Sequence, residues 1–247
     1  MKEYNLQRFM GTEINCNSNR PCTLRYIEDL YVLSNLSDTI FKKPLGFHLR
    51  IRLNEDVSMA KFSAMLSKHY RKSGYNPLRY TVKETDDTGV HYHIAIVIDG
   101  RKNKKSSISH ILAKLQQAGY LHDYKVIAHN THPFGHPLEH QIDKDSYFRW
   151  MSYLAKTKTK ATGKQNSSPS KKLASLIKDW RAQGKPDLRI NVEVSATNLS
   201  TYMDETEFSK PETETAFHNY YINALTVFGS HTNTASKALQ DPCKPCI

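Results

Sequence analysis

Cysteine is scarce: there are four in 247 residues. That is too few for a disulfide framework and is in keeping with a reducing compartment. No apolar run reaches the roughly 18 residues that a membrane-spanning helix needs, which argues against an integral membrane protein. The opening residues Met1-Lys2-Glu3-Tyr4-Asn5 lack the apolar stretch of a secretory signal, so none is expected. Apolar residues make up only 38%, enough for one core. At roughly 150 residues per domain the length suits one domain plus an extension, or two small domains. No internal repeat is found, and a collagenous chain or a small secreted module is excluded. Acidic residues are also in deficit, with 24 Asp and Glu against 35 Lys and Arg and a formal charge of +11. Such a balance suits a polyanionic partner, either nucleic acid or an anionic membrane surface.

What is present is a run of alternating secondary-structure signals. Residues 1–45 are weakly periodic, with one helix expected from Ile27 to Leu36 and a break at Pro44-Leu45-Gly46. Phe47 to Leu53 alternates apolar and polar residues, the mark of a half-buried strand. Asp56 or Ser58 can cap a helix to about Arg71 that ends at Gly74, with Met59, Phe62, Met65 and Leu66 on one face. Leu78 to Glu84 reads as a strand, residues 85–89 as a hairpin turn, and Val90 to Ile98 as a third strand, apolar on both faces and therefore central. After a basic turn comes a helix carrying Ile108, Ile111, Leu112 and Leu115, then a strand from Tyr124 to Ala128. A loop rich in His, Pro and Gly covers residues 129–142, and a last helix is expected from about Ser146 to Lys160. The order β-α-β-β-α-β-α predicts an α+β fold: a central antiparallel sheet of RNA-recognition or ferredoxin-like order with helices packed on it. The expected organisation is an N-terminal extension (1–45), a core (46–160), a basic flexible linker (161–172) and a mostly helical C-terminal extension (173–247). Within that extension a helix from Leu173 to Ala182, a strand from Leu188 to Val194 and a helix from Ala216 to Phe228 are expected, before a loose tail.

The most informative string is His91-Tyr92-His93 inside the apolar strand. Residues i and i+2 of a strand share a face, so the two imidazoles stand side by side about 6–7 Å apart at the backbone. Two polar rings in so apolar a strand are costly unless something satisfies them, and two imidazoles can grip one divalent cation. Glu84 is folded back beside His91 by the hairpin and can supply a third ligand. Asp86 and Asp87, in the turn, are weaker alternatives. A histidine merely hydrogen-bonded in a core is the competing reading, and it suits a lone histidine better than this set. The second string is Tyr153-Leu154-Ala155-Lys156. A helix puts Lys156 one turn beyond Tyr153 and returns Lys160 to the same face. A phenol, with a free pKa of about 10, is a poor nucleophile unless the phosphate it attacks is polarised and a cation stabilises charge nearby. Taken alone, Tyr-x-x-Lys is common and fits a partly buried tyrosine beside a solvated lysine.

Together the two strings resemble the HUH endonuclease superfamily: a His-hydrophobe-His strand followed 60 residues later by a helix with Tyr-x-x-Lys. The order, histidines first, is similar to the replication-initiator (Rep) branch rather than to relaxases. The glutamate seven residues before His91 resembles the third metal ligand of viral Rep proteins, and Phe47-His48-Leu49-Arg50 sits where their first motif falls. Residues Trp150 to Lys160 resemble more narrowly the filamentous-phage (inovirus) replication proteins of phages and prophages. The resemblance covers roughly residues 45–160. It implies that His91, His93 and Glu84 hold one Mg²⁺ or Mn²⁺ ion. It implies that Tyr153 attacks a phosphate of single-stranded DNA, forming a 5′-phosphotyrosine and releasing a 3′-OH that starts rolling-circle replication. Lys156 would stabilise the transition state or orient the phosphate. The expected partners are single-stranded DNA or a DNA hairpin at a replication origin, with a host replication helicase or polymerase as further candidates. No membrane partner is expected, and the expected location is the bacterial cytoplasm. Tyr147, six residues before Tyr153, lies about 120° away around a helix, so a single-tyrosine enzyme is expected. A transposase or plasmid enzyme of the same superfamily fits the same motifs.

Arg101, Lys102, Lys104 and Lys105 form one basic patch, and Lys156, Lys158, Lys160, Lys164, Lys171 and Lys172 another, both suited to phosphate contacts or to plain solvation. Tyr80, Tyr92, Tyr124 and Trp150 could stack bases or lie in the core. His129, His132, His136 and His140 have spacing that could bind zinc, but Pro133, Gly135 and Pro137 make the segment irregular, which favours a structural role or a flank to DNA. Cys243-x-x-Cys246 is a weak zinc signal, with Cys16 and Cys22 as distant partners. Two other classes remain open. One is a non-catalytic nucleic-acid-binding module, although histidines stand where its aromatics belong. The other is a structural metal protein built on the loop histidines and cysteines.

Overall fold

A computed structural model describes residues 2–72, 76–87, 89–102, 105–127, 129–157 and 166–189. Its centre is an antiparallel sheet of four long strands: β1 (Pro44–Leu53), β2 (Leu78–Asp86), β3 (Gly89–Asp99) and β4 (Leu121–Ile127). Two short strands complete it: β5 (His136–Pro137) pairs with β1, and β6 (Ser167–Pro169) pairs with β2. The order is β6-β2-β3-β1-β4, so β3 is central as its two apolar faces require. The mixed α+β architecture expected from the element order is the one observed.

Strand alternation sorts side chains onto two helical layers. Phe47, Leu49 and Ile51 of β1 and Ile94, Ile96 and Ile98 of β3 face helices α2 (Met59–Arg71) and α3 (Lys105–Gln117). Helix α2 buries Phe62, Leu66 and Tyr70 at four-residue spacing, and the Ser58 side chain caps it by accepting from Lys61 N. The opposite face carries Leu78, Tyr80 and Val82 of β2 and Ala95 and Val97 of β3. It packs on helices α1 (Leu24–Asn35), α4 (Gln141–Met151) and α5 (Lys171–Ala182).

This second layer corrects the expected boundaries. Residues 1–45 are not an appendage: α1 is buried from Tyr26 through Asn35 and forms the middle of that layer. Helix α5, expected to begin an extension, seals the same layer with Leu173, Ile177 and Trp180. Its Arg181 pairs with Glu28 and Asp29 of α1, at 3.0 and 2.7 Å. Part of the expected linker is strand β6, with Lys83 N donating to Asn166 O at 2.7 Å.

A further correction concerns cysteine. Cys16 and Cys22 are joined in a disulfide across a separation of six residues, so this pair is neither reduced nor a partner for the C-terminal cysteines. Among the described residues no helix is long and apolar enough to cross a membrane. Residues 158–165 and 190–247, which carry Lys158, Lys160, Lys164, the expected helix 216–228 and the Cys243–Cys246 pair, lie outside the described residues, as do Gly74, Lys104 and Ala128. Of the expected strand 188–194, only Leu188 and Arg189 are described, and they form a turn.

Candidate functional site

The hairpin does what its spacing predicts. Glu84 lies directly across from His91, and Val82 from His93, so all four share the face turned toward α1 and α4. Glu84, His91 and His93 are only 4–5% exposed. Glu84 Oε2 stands 3.9 Å from His91 Nε2 and 3.7 Å from His93 Nε2. These distances are too long for direct hydrogen bonds and only slightly wider than the ~3.4 Å that separates ligands bonded at ~2.1 Å to one tetrahedral ion. The three donors belong to one group whose ligand atoms all lie within 4.8 Å of one another. They could hold a metal ion, and the donor set of two imidazoles and a carboxylate, buried in an apolar strand, fits one.

The outer nitrogens are anchored, as metal-ligating histidines require. His91 Nδ1 is 3.4 Å from Gly89 O and 3.6 Å from Asp86 Oδ2. His93 Nδ1 is 2.8 Å from Nε2 of His48. The tautomer in which His93 Nδ1–H donates leaves its Nε2 as a lone pair toward Glu84. His48 is the residue that sequence reasoning missed as part of the site. Burial, helped by His93, pushes its imidazole down to about 3, so it stays neutral and can accept. Asp86 sits behind His91 rather than in the ligand group, and it also lies 4.0 Å from Arg50.

Tyr153 does not lie on an α-helix. Helix α4 stops at Met151, and Ser152–Ala155 form a 3₁₀ turn. The reason is tertiary. Ser152 Oγ accepts from Asn15 N (2.8 Å) while donating to Arg149 O (2.7 Å). Beyond the turn, Lys156 bridges to Cys22, and Thr157 N donates to Pro21 O at 3.0 Å. The N-terminal segment therefore takes the backbone groups that a continuing helix would have used. Residues i and i+3 eclipse in a 3₁₀ turn, which sets Lys156 Nζ 3.6 Å from the centre of the Tyr153 ring. That ring packs edge-on to His93, with centroids 6.1 Å apart, and remains 37% exposed. Burial first, then the charge of Glu84, raises the Tyr153 phenol above its usual value, and Arg50 opposes this. Burial, then Arg20, lowers the Lys156 ammonium, with Glu84 opposing.

The other expected residues divide. Tyr147 is fully buried, donates to Phe47 O at 3.0 Å and packs its ring where a Cβ on Gly46 would stand, 2.6 Å away. It is a core residue, as is Tyr80. Tyr92 and Tyr124 lie on the opposite layer. Trp150 sits beside His48, with centroids 5.7 Å apart. Arg101 and Lys102 follow the far end of β3, roughly 20 Å along the strand from His93, and Arg101 is held by Asp99 at 2.6 Å. Lys105 donates to Pro133 O at 2.9 Å. These cations do not join the triad. No family model, curated protein or solved structure matches the chain.

Proposed function

We propose that this protein nicks and rejoins single-stranded DNA as a Rep-type HUH endonuclease of the filamentous-phage kind, initiating rolling-circle replication of a phage, prophage or related mobile element. One observation carries the reading: an accessible phenol packs against a histidine of a buried His-His-Glu group, with a lysine over its ring. Glu84, His91 and His93 would hold Mg²⁺ or Mn²⁺, which supplies Lewis-acid polarisation of the scissile phosphate. Tyr153 Oη attacks phosphorus, and the bond from phosphorus to the 3′-oxygen breaks. The phenol gives up its proton and the departing oxygen takes one up. The products are a 5′-phosphotyrosine and a free 3′-OH, and the reverse reaction reseals the strand. No ATP is needed, because the tyrosyl ester keeps the energy of the phosphodiester.

Lys156 holds its ammonium against the Tyr153 ring and so favours the negative charge that develops on the phenol. Burial first, and then the charge of Glu84, hold that phenol protonated in the resting site. His48 orients His93 from behind.

The test is a denaturing gel of the full-length protein with a pool of labelled oligonucleotides, in Mn²⁺ and in EDTA. A slow, denaturant-resistant band is expected with Mn²⁺ alone, and none from Tyr153→Phe. A Tyr153→Phe protein that forms as much adduct as the parent overturns the nucleophile. Chelator-insensitive binding with no adduct from the parent would instead favour a non-catalytic nucleic-acid-binding module.

A further inference from the structure

The connection from β4 to α4 carries a second constellation that the nicking reading does not use. His129, His132 and His136 each offer a ring nitrogen, and the three nitrogens lie within 4.8 Å of one another. Ring centroids are 5.6 Å apart for His129 and His132, 5.2 Å for His129 and His136, and 4.2 Å for His132 and His136. His140, the fourth histidine of the segment, precedes α4 and stands outside the group.

The loop is built to converge. His132 N donates to His129 O at 3.1 Å, and Gly135 N to His132 O at 3.2 Å, so two successive turns bring positions three and seven residues after His129 back beside it. Gly135 has φ +120°, with the Phe47 ring 2.5 Å from where a Cβ would stand, and no other residue fits there without strain. His136 is then fixed by pairing with Gly46 on β1.

The outer nitrogens are again engaged. His136 Nδ1 lies 3.0 Å from Pro137 O, and His129 Nδ1 lies 2.8 Å from Thr131 Oγ1. Donation from His136 leaves its Nε2 as a lone pair, the arrangement that second-shell partners impose on ligating histidines, while His129 Nδ1 also accepts from Thr131 N at 3.4 Å, so that ring would switch tautomer on binding an ion through Nε2. His136 Nε2 currently accepts from Ser146 Oγ at 3.1 Å, a contact that an ion would replace.

We propose that His129, His132 and His136 bind one zinc ion, with a fourth position open to water, and that this ion pins the β4–α4 connection. Three imidazoles without a carboxylate suit zinc, whereas Mg²⁺ and Mn²⁺ prefer oxygen ligands. The ion ties the start of the connection to β1. It also fixes His129, whose ring lies 5.1 Å from Trp150, itself the neighbour of His48. The loop ion therefore buttresses the wall behind the Glu84 group while remaining a separate site.

The experiment uses full-length His91→Ala protein, in which the strand site is broken, stripped with a chelator and titrated with zinc. One equivalent of zinc is expected to bind, with X-ray absorption showing imidazole nitrogens and no sulfur. Adding His132→Gln should weaken binding by roughly 100-fold or more. Failure of His91→Ala to bind zinc, sulfur in the spectrum, or undiminished binding by the folded double variant each overturns the proposal. If circular dichroism shows that the double variant does not fold, the absorption spectrum of His91→Ala decides alone.

Discussion

The two histidine groups solve one problem with different backbones. The strand group takes His91 and His93 from period-two alternation and Glu84 from the hairpin register. Its ligand positions are held by the hydrogen-bond ladder of a central strand, whether or not an ion is present. The loop group takes its members from two consecutive turns, with two of the three half-exposed. No ladder holds His129 or His132 beyond one isolated bridge between them. A sheet positions ligands in advance, and a loop relies on the ion to complete its order. Under the two proposals, the carboxylate in one group and its absence from the other would separate harder from softer metals.

Hydrogen exchange sharpens this contrast most. Zinc at a hundred times its Kd should slow exchange of the His132 and Gly135 amides by up to roughly 100-fold. Amides of β3 around Ile94 should change little on adding Mn²⁺. Equal responses at both places would break the distinction.

The next effect concerns the strand group alone. His48→Ala removes the partner of His93 Nδ1 and should lower Mn²⁺ affinity there by about 10–100-fold, read by titration, with zinc binding at the loop preserved.

A third effect links both groups through pH. Burial lowers His48 to about 3 and His136 to about 4. Both are therefore neutral in the folded protein at pH values where the unfolded chain, with histidine near 6.5, already binds a proton. Their contribution to stability is complete above about pH 6.5 and declines as pH falls toward 4, by at most about 1.4 kcal/mol per pH unit for each group. Denaturation midpoints of the metal-free protein between pH 7 and 4 check this, and His48→Asn should flatten the slope.

Much of the strand group was legible because period-two alternation and a tight hairpin are local rules. His48 could have been found by the same logic. Phe47, Leu49 and Ile51 face one layer, so His48 must face the other; only the β1–β3 pairing, a long-range fact, puts it on His93. The helix expected through Tyr153 failed because Asn15 Nδ2 donates to Arg149 O and Pro21 O accepts from Thr157 N, and no local pattern reports that. The helix expected from Ile27 to Leu36 is found as Leu24–Asn35, but no local pattern reports that its polar residues Glu28, Asp29, Ser34 and Asn35 are buried with the apolar ones. The Cys16–Cys22 bond escaped a compositional argument that holds for whole scaffolds and says little about one short loop.

The bond from Thr157 to Pro21 spans 136 positions of sequence. A nascent chain can zip up the hairpin bearing Glu84, His91 and His93 while the tyrosine segment is still unmade. Only when that later stretch emerges and meets the first two dozen residues, already long outside the ribosome, does the phenol acquire its seat. Tyr153 is thus the last part of the candidate site to be put in place, and a polypeptide lacking its opening residues would keep the Glu84, His91 and His93 group but leave that phenol without its seat.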